Sequence, residues 1–101
     1  MVDAEIITKV REYGMRVRKR LPVKNIILFG SYVKGTATSE SDIDVAIVVE
    51  KLPDEDFLDV GADLMMLRQS IDLRIEPHLL SEEEDREGML EEVKSSGKII
   101  D

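Results

Sequence analysis

Apolar and polar positions along this chain repeat with periods that predict helices and strands in turn. In residues 3–20, apolar side chains recur every three or four positions, which predicts an amphipathic helix that Pro22 ends. The apolar stripe of this helix consists of Ile6, Val10, Tyr13, Val17 and Leu21. Residues 24–29 contain an uninterrupted apolar run, which predicts a central strand covered on both faces.

A short helix, a loop and a second strand are predicted next. Residues 32–34 can form one helical turn that Gly35 closes, and residues 36–41 are small and polar, as is typical of a loop. From Asp42 onward, even-numbered residues share one face of a strand and odd-numbered residues share the other. This strand has two aspartates at its start, Asp42 and Asp44, and is apolar beyond them.

The following stretch predicts a long helix and a third strand. Pro53 and Asp54 are expected to open a helix that runs to about Ser70. Its predicted buried stripe consists of Phe57, Val60, Leu64 and Leu67, widened by Met65 and Met66. Residues 71–76 return to a period of two, which predicts a strand that Pro77 stops.

A last helix completes the predicted fold. Ser81 and Glu84 form a capping-box pattern, so the helix is expected to begin at Ser81, run to about residue 96 and end at Gly97. Its apolar seam is thin and comprises Met89 or Leu90 and then Val93. Three strands interleaved with helices indicate one mixed sheet, of three or slightly more strands, flanked by helices. We therefore expect a single α/β (α+β) domain over residues 1–101.

Composition and charge limit the possible functions. The 101 residues are 43% apolar, enough for one modest core, and include no cysteine, which excludes disulfides and thiolate metal sites. The net charge of -8 argues against strong non-specific binding to nucleic-acid phosphates, although the first 34 residues are basic and the remainder is acidic. No apolar run approaches the roughly 20 residues that span a bilayer, and no signal-peptide pattern is present. We expect a cytoplasmic protein with no membrane partner.

The two aspartates of the second strand form a candidate metal site. Asp42 and Asp44 share a strand face, with α-carbons about 6.6 to 6.8 Å apart, and such carboxylate pairs suit Mg²⁺ or Mn²⁺. A two-metal site usually needs a further carboxylate from a neighbouring strand. Asp72, on the polar face of the strand predicted at residues 71–76, is the preferred candidate. Glu76 lies about 13 Å farther along the same face and competes for this role.

Other polar residues near this predicted strand have several possible roles. Arg74 could hold Asp72 in place, reach a phosphate, or form an ordinary cross-strand ion pair. His78 is expected to lie in a loop or at the surface. Tyr13 and Tyr32 are expected to be packing residues rather than acceptors of a transferred group.

Gly30 and Ser31, at the end of the first predicted strand, form the other half of the candidate site. A glycine lets a phosphate approach the backbone closely, and a helix that begins at Ser31 directs N–H groups at an anion. The Ser31 hydroxyl can add a hydrogen bond. Such a pair alone is typical of a turn, but ten residues separate it from Asp42 and Asp44, and this combination favours phosphate transfer.

Gly30-Ser31, Asp42-Ile43-Asp44 and a later strand that carries Asp72 resemble the minimal nucleotidyltransferases, a branch of the DNA polymerase beta-like superfamily. The segment Ile71-Asp72-Leu73-Arg74 also resembles the third-carboxylate strand of that polymerase. The resemblance implies a fold like the polymerase beta palm and transfer of a nucleoside monophosphate from an NTP, usually ATP.

The resemblance also assigns roles to individual residues. Asp42, Asp44 and Asp72 would be the catalytic carboxylates that hold two Mg²⁺ ions, with Mn²⁺ as an alternative, and Asp72 is also a candidate general base. Gly30, Ser31 and Lys34 would bind the triphosphate. Lys34 stands where the family often has arginine, so it keeps the charge but loses the bidentate geometry.

Finally, the resemblance implies that the acceptor is a separate molecule, because the acceptor domain of larger relatives is missing here. Stand-alone members of the family often pair with a small helical HEPN-type protein, as antitoxin to its toxin, and some add AMP to a tyrosine of that partner. We expect such a partner and a homo- or hetero-oligomer. Two alternatives stay open: a module that neutralises its partner by contact through the acidic last helix, and nucleotide transfer to a small molecule such as an aminoglycoside.

Overall fold

Helices and strands alternate along the chain nearly as predicted. The computed structural model describes residues 2–54, 57–85 and 87–100. Its elements are α1 (Ala4–Arg20), β1 (Asn25–Phe29), α2 (Ser31–Lys34), β2 (Ile43–Val49), α3 (Phe57–Leu67), β3 (Ile75–Ser81), α4 (Met89–Ser96) and β4 (Lys98–Ile99). The strand order is β3-β2-β1-β4, with β2 parallel to β3 and the other pairs antiparallel. A mixed sheet flanked by helices is therefore confirmed.

Helices α1 and α3 cover one face of the sheet. All five residues of the predicted α1 stripe are buried, and they pack on the odd-numbered residues of β2. Tyr13 is fully buried, its hydroxyl donates to the carbonyl of Leu64 at 2.7 Å, and burial raises its pKa. Its predicted packing role is confirmed.

Helix α4 covers part of the opposite face. Leu90 and Val93 pack there on Ile27, Ala46 and Val48. Because side chains alternate along a strand, the even-numbered residues of β2, including Asp44, point to this face. None of the described helices combines the length and apolarity needed to cross a bilayer.

Helix α3 departs from its predicted stripe. Val60 and Leu64 are buried as expected, but Phe57 is 59% exposed, Met65 41% and Met66 61%, so the prediction that these three fill the core is wrong. The helix packs against α1 and the edge strand β3, which together cover only a narrow stripe of it. Residues 53 and 54 precede the helix and do not belong to it, and residues 55 and 56 lie outside the described residues.

Strand β3 begins later than predicted and runs through Pro77. Residues 71–74 form turns: the N–H of Asp72 donates to the carbonyl of Arg68 at 2.9 Å, and Oδ1 of Asp72 accepts from the N–H of Arg74 at 2.9 Å. These local bonds compete with strand pairing. The predicted strand at residues 71–76 and its stop at Pro77 are therefore wrong, and the proline is tolerated because β3 is an edge strand.

The start of α4 and the strand after it also differ from the prediction. Ser81 is the last residue of β3, where its hydroxyl donates to the carbonyl of Glu50 at 3.2 Å, so it does not cap a helix. The first N–H groups of α4 instead include those of Leu90 and Glu91, which donate to the carboxylate of Asp85. The end of α4 at Gly97 is confirmed, and β4 follows it as a short fourth strand that the periodicity did not predict.

Candidate active site

Three strand ends meet at one edge of the sheet. Strand β1 ends there, while β2 and β3 begin there. In the strand register Phe29 lies opposite Asp44 on one side, and Glu76 lies opposite Asp44 on the other. Gly30 follows Phe29 directly, so the fold brings together Gly30 and Asp44, as the motif spacing predicts, and adds Glu76.

Gly30 packs directly against Asp44. Its φ of 80° and ψ of -148° belong to a region that is open mainly to glycine. A Cβ at this position would clash with Oδ2 of Asp44. The missing side chain therefore lets the Asp44 carboxylate lie against the turn where β1 passes into α2.

The carboxylates of Asp42, Asp44 and Glu76 form a cluster at this edge. A side-chain hydrogen bond with Asp42 is the largest cause of a raised pKa at Glu76, followed by burial, and the negative charges of Asp42 and Asp44 act in the same direction. Neighbouring negative charges disfavour each other's ionisation. The cluster therefore favours binding of a cation or a proton.

Comparison with known proteins identifies the family to which this chain belongs. The family model described as "Nucleotidyltransferase domain" matches residues 10–100. The chain belongs to the nucleotidyltransferase domain family. The match includes β1, β2 and β3, and hence every residue of the candidate active site.

Relatives of this nucleotidyltransferase domain match about half of it. The protein adenylyltransferase MntA of Thermococcus cleftensis is 37% identical over 49 residues, which are 48% of this chain and 50% of that protein. A "putative protein adenylyltransferase" of Methanocaldococcus jannaschii is 41% identical over 51 residues, which are 48% of this chain and 52% of that protein. The chain spans about half the length of the curated relatives it matches.

A solved structure shares the fold. The crystal structure of a "putative nucleotidyltransferase" from Sulfolobus solfataricus matches with a TM-score of 0.63 and 21% identity, over 93% of this chain and 78% of that chain. The nucleotidyltransferase fold is therefore confirmed for this domain.

Asp72 of the nucleotidyltransferase domain lies in the turn before β3, outside the carboxylate cluster. It accepts hydrogen bonds from Nζ of Lys9 at 2.9 Å and from Nη2 and Nε of Arg74 at 2.8 and 3.0 Å. Lys9 belongs to α1, so the Asp72 carboxylate points towards the helix on the opposite side of the sheet from α4. The bonds with Arg74 hold the pKa of Asp72 well below its usual range. The preference for Asp72 over Glu76 assumed that both lie on one strand, and this assumption is wrong.

Arg74 links the turn before β3 to the loop between α2 and β2. Besides Asp72, its Nη1 donates to the hydroxyl of Tyr32 at 3.0 Å and to the carbonyl of Ser39 at 3.1 Å. Several roles were left open for Arg74, and in the structure Arg74 holds Asp72 in place. Tyr32 is half-buried by the same contacts.

His78 was expected in a loop or at the surface; it lies in β3 and not in a loop, with its side chain 28% exposed. Its Nε2 is 3.3 Å from Oδ1 of Asp44. Its ring packs edge-to-face on Phe29, with 5.1 Å between the ring centroids. His78 thus joins the site as a neighbour of Asp44.

Sequence reasoning named Glu76 only as the competitor of Asp72, and it missed His78 because it took Pro77 as the end of the strand. A signal was nevertheless present, since the alternation of apolar and polar residues continues from Ile75 through Leu79. Allowing a proline on an edge strand would have put Glu76 and His78 on one face.

Ser31 and Lys34 begin and end α2, directly after Gly30. Gly35 closes this helix in the left-handed conformation, with a φ of 78°, as predicted. Lys34 and Gly30 line a small cleft that faces α4. The cleft lies on the same side of the sheet as Asp44, and the phosphate-binding roles of Ser31 and Lys34 stay predictions.

The carboxylate cluster offers oxygen donors, which are chemically suited to divalent cations. Within the ranges that the structure describes, no three histidine or carboxylate side chains are already arranged around a metal position. Asp42 and Glu76 are exposed, so their carboxylates can rotate towards Asp44. Oxygen donors suit Mg²⁺, and a cation would offset the negative charges of the three carboxylates.

Proposed function

We propose that this chain transfers a nucleoside monophosphate from an NTP, with ATP as the donor, to a hydroxyl of an acceptor. One observation carries the proposal: the Asp44 carboxylate lies against Gly30, and the carboxylates of Asp42 and Glu76 interact with each other next to it. Membership of the nucleotidyltransferase family supports the reaction class. The names of the two adenylyltransferase relatives support AMP as the transferred group.

Asp42, Asp44 and Glu76 would hold two Mg²⁺ ions, or Mn²⁺ as an alternative. Bound there, such ions would supply charge stabilisation for an attacking hydroxyl and for a pyrophosphate leaving group. Glu76 takes the place of Asp72 in this set. Asp72 is directed towards α1 and is already paired with two cationic side chains.

The reaction forms one bond at the α-phosphorus and breaks another. The acceptor oxygen bonds to this phosphorus as the α,β-phosphoanhydride bond breaks, and pyrophosphate leaves with the electron pair. Gly30 lets the triphosphate approach the backbone, the Ser31 hydroxyl donates to a phosphate oxygen, and the Lys34 ammonium balances its charge. The acceptor proton passes to a carboxylate of the site, because Asp72, the candidate base that the resemblance offered, is already paired with Lys9 and Arg74.

The proposed acceptor is a protein, as in the relatives named protein adenylyltransferases. The family resemblance favours a small helical HEPN-type partner, with this chain in an antitoxin role. The alternative of neutralisation by contact alone was motivated by the acidic last helix and by its apolar seam. Leu90 and Val93 are only 6% and 3% exposed and pack on the sheet, so the seam no longer supports it, whereas acidic residues such as Glu91 and Glu92 are exposed.

Incubation with ATP labelled at the α-phosphate, Mg²⁺ and a candidate HEPN-type partner tests the proposal. The partner should be labelled, ATP labelled at the γ-phosphate should transfer nothing, and Asp44→Asn should transfer nothing from either. Transfer to an aminoglycoside instead of the protein would identify a small-molecule acceptor. Absence of transfer to any acceptor by the folded wild-type chain would contradict the proposed activity.

A further inference from the structure

The two carboxylate oxygens of Asp44 have different neighbours. Oδ2 lies against Gly30, and Oδ1 lies 3.3 Å from Nε2 of His78. An ionised carboxylate can only accept a hydrogen bond, so His78 forms this bond in the tautomer in which Nε2 carries the hydrogen and donates it. The orientation of Asp44 is therefore determined from both sides, by the turn after β1 and by β3.

His78 is itself held in place by the strands beside it. It lies opposite Ala46 in the register, and the small alanine side chain leaves room for the imidazole ring over β2. The ring then meets Phe29 of β1 edge-to-face, with 63° between the ring planes. The side chains of Asp44 and His78 are 26% and 28% exposed, so both are largely shielded from water.

We propose that His78 is a positioning residue for Asp44 and thereby determines the affinity of the site for divalent cations. This inference rests on the proposed function, because it assumes that Asp44 is a metal ligand. A carboxylate that is already oriented loses less conformational freedom when it binds a cation. Removal of a hydrogen-bond partner from a metal ligand typically weakens metal binding about 10- to 100-fold.

Two substitutions separate the hydrogen bond from the packing of the ring. His78→Phe keeps an aromatic ring against Phe29 but removes the donor, whereas His78→Gln keeps an N–H donor and removes the ring. The affinity of the metal-free protein for Mn²⁺ can be measured from the electron paramagnetic resonance signal of the unbound ion. We expect His78→Phe to weaken Mn²⁺ binding about 10- to 100-fold and His78→Gln to restore most of the affinity.

Thermal melting without metal confirms that each variant is folded, and His78→Leu provides a second donor-free variant if His78→Phe does not fold. Wild-type affinity in a folded donor-free variant would overturn the inference, and so would equally weak binding by His78→Gln and His78→Phe. Asp44→Asn distinguishes this failure from that of the proposed function. If Asp44→Asn loses Mn²⁺ while His78→Phe retains it, only the role of His78 is wrong. If Asp44→Asn binds Mn²⁺ like the wild type, the proposed metal site itself is wrong.

Discussion

At the scale of single residues, the site depends on the close approach of Gly30 to Asp44. Two other glycines of the described chain, Gly35 and Gly88, also have positive φ, but a Cβ at either would meet open space. Gly30 alone among the three is constrained by both its backbone conformation and its neighbour. Substitutions at Gly30 and Gly35 can therefore separate the effect of backbone strain from the effect of displacing the Asp44 carboxylate.

Gly30→Ala should therefore affect function more than Gly35→Ala. Both variants should lose about 1 to 3 kcal/mol of unfolding free energy through backbone strain. Only Gly30→Ala should also displace the Asp44 carboxylate and weaken Mn²⁺ binding. Chemical denaturation and Mn²⁺ titration of the two variants measure these effects, and equal losses of Mn²⁺ affinity would refute the role of the Gly30 contact.

Asp72 should affect stability rather than chemistry. Its side chain is 9% exposed, and its hydrogen bonds to Arg74 and Lys9 lower its pKa from the ordinary value of 3.8. A carboxyl group whose pKa is lowered in the folded state stabilises the protein above pH 3.8. This stabilisation is lost as the pH falls through the folded-state pKa.

Asp72→Asn should therefore lower the unfolding free energy by about 2 kcal/mol at pH 7. The difference from the wild type should shrink as the pH falls below 3.8, because the Asp72 carboxylate of the unfolded wild type takes up its proton there while that of the folded state is still ionised. Urea denaturation of both proteins between neutral and strongly acidic pH measures the difference. A difference that does not change with pH would show that the carboxylate charge is not the source of the stability.

At the scale of elements, sequence periodicity predicted those segments in which one face is buried along the whole length. The extents of α1, β1 and β2 follow it closely, although Asp42 lies just before β2, and the glycine turn meets Asp44 as the motif spacing predicts. Sequence periodicity failed in the segments whose structure depends on tertiary contacts. The side chain of Asp72 stabilises a turn where a strand was expected, and Ser81 bonds to a neighbouring segment instead of capping a helix. The reasoning that preferred Asp72 over Glu76 lost its premise, because Asp72 lies in the turn before β3 and not on the strand.

Helix α3 provides a direct test of which side chains support the core. Leu64 is 2% exposed and Met66 is 61% exposed, although the sequence pattern assigned both to the buried stripe. Leu64→Ala should cost about 2 to 5 kcal/mol of unfolding free energy, and Met66→Ala less than about 0.5 kcal/mol. Equilibrium denaturation measures both, and similar losses would contradict the observed orientation of α3.

At the scale of the whole molecule, the two faces of the sheet have different roles. One face packs on α1 and α3, whereas the other is partly covered by α4 and carries the carboxylates at its edge. The chain has a net charge of -8, so a triphosphate approaching this edge meets repulsion unless a cation intervenes. Nucleotide binding should therefore depend strongly on Mg²⁺ and on the carboxylates of this face.

The most direct test is calorimetric binding of a non-hydrolysable ATP analogue, with and without Mg²⁺, to the wild type and to Glu76→Gln and Asp72→Asn. All three proteins are compared at a temperature at which each is folded. We expect Mg²⁺ to strengthen binding of the analogue to the wild type and to Asp72→Asn. In Glu76→Gln, Mg²⁺ should strengthen this binding much less. Mg²⁺-dependent binding that survives in Glu76→Gln and disappears in folded Asp72→Asn would contradict the assignment of Glu76 as the third carboxylate.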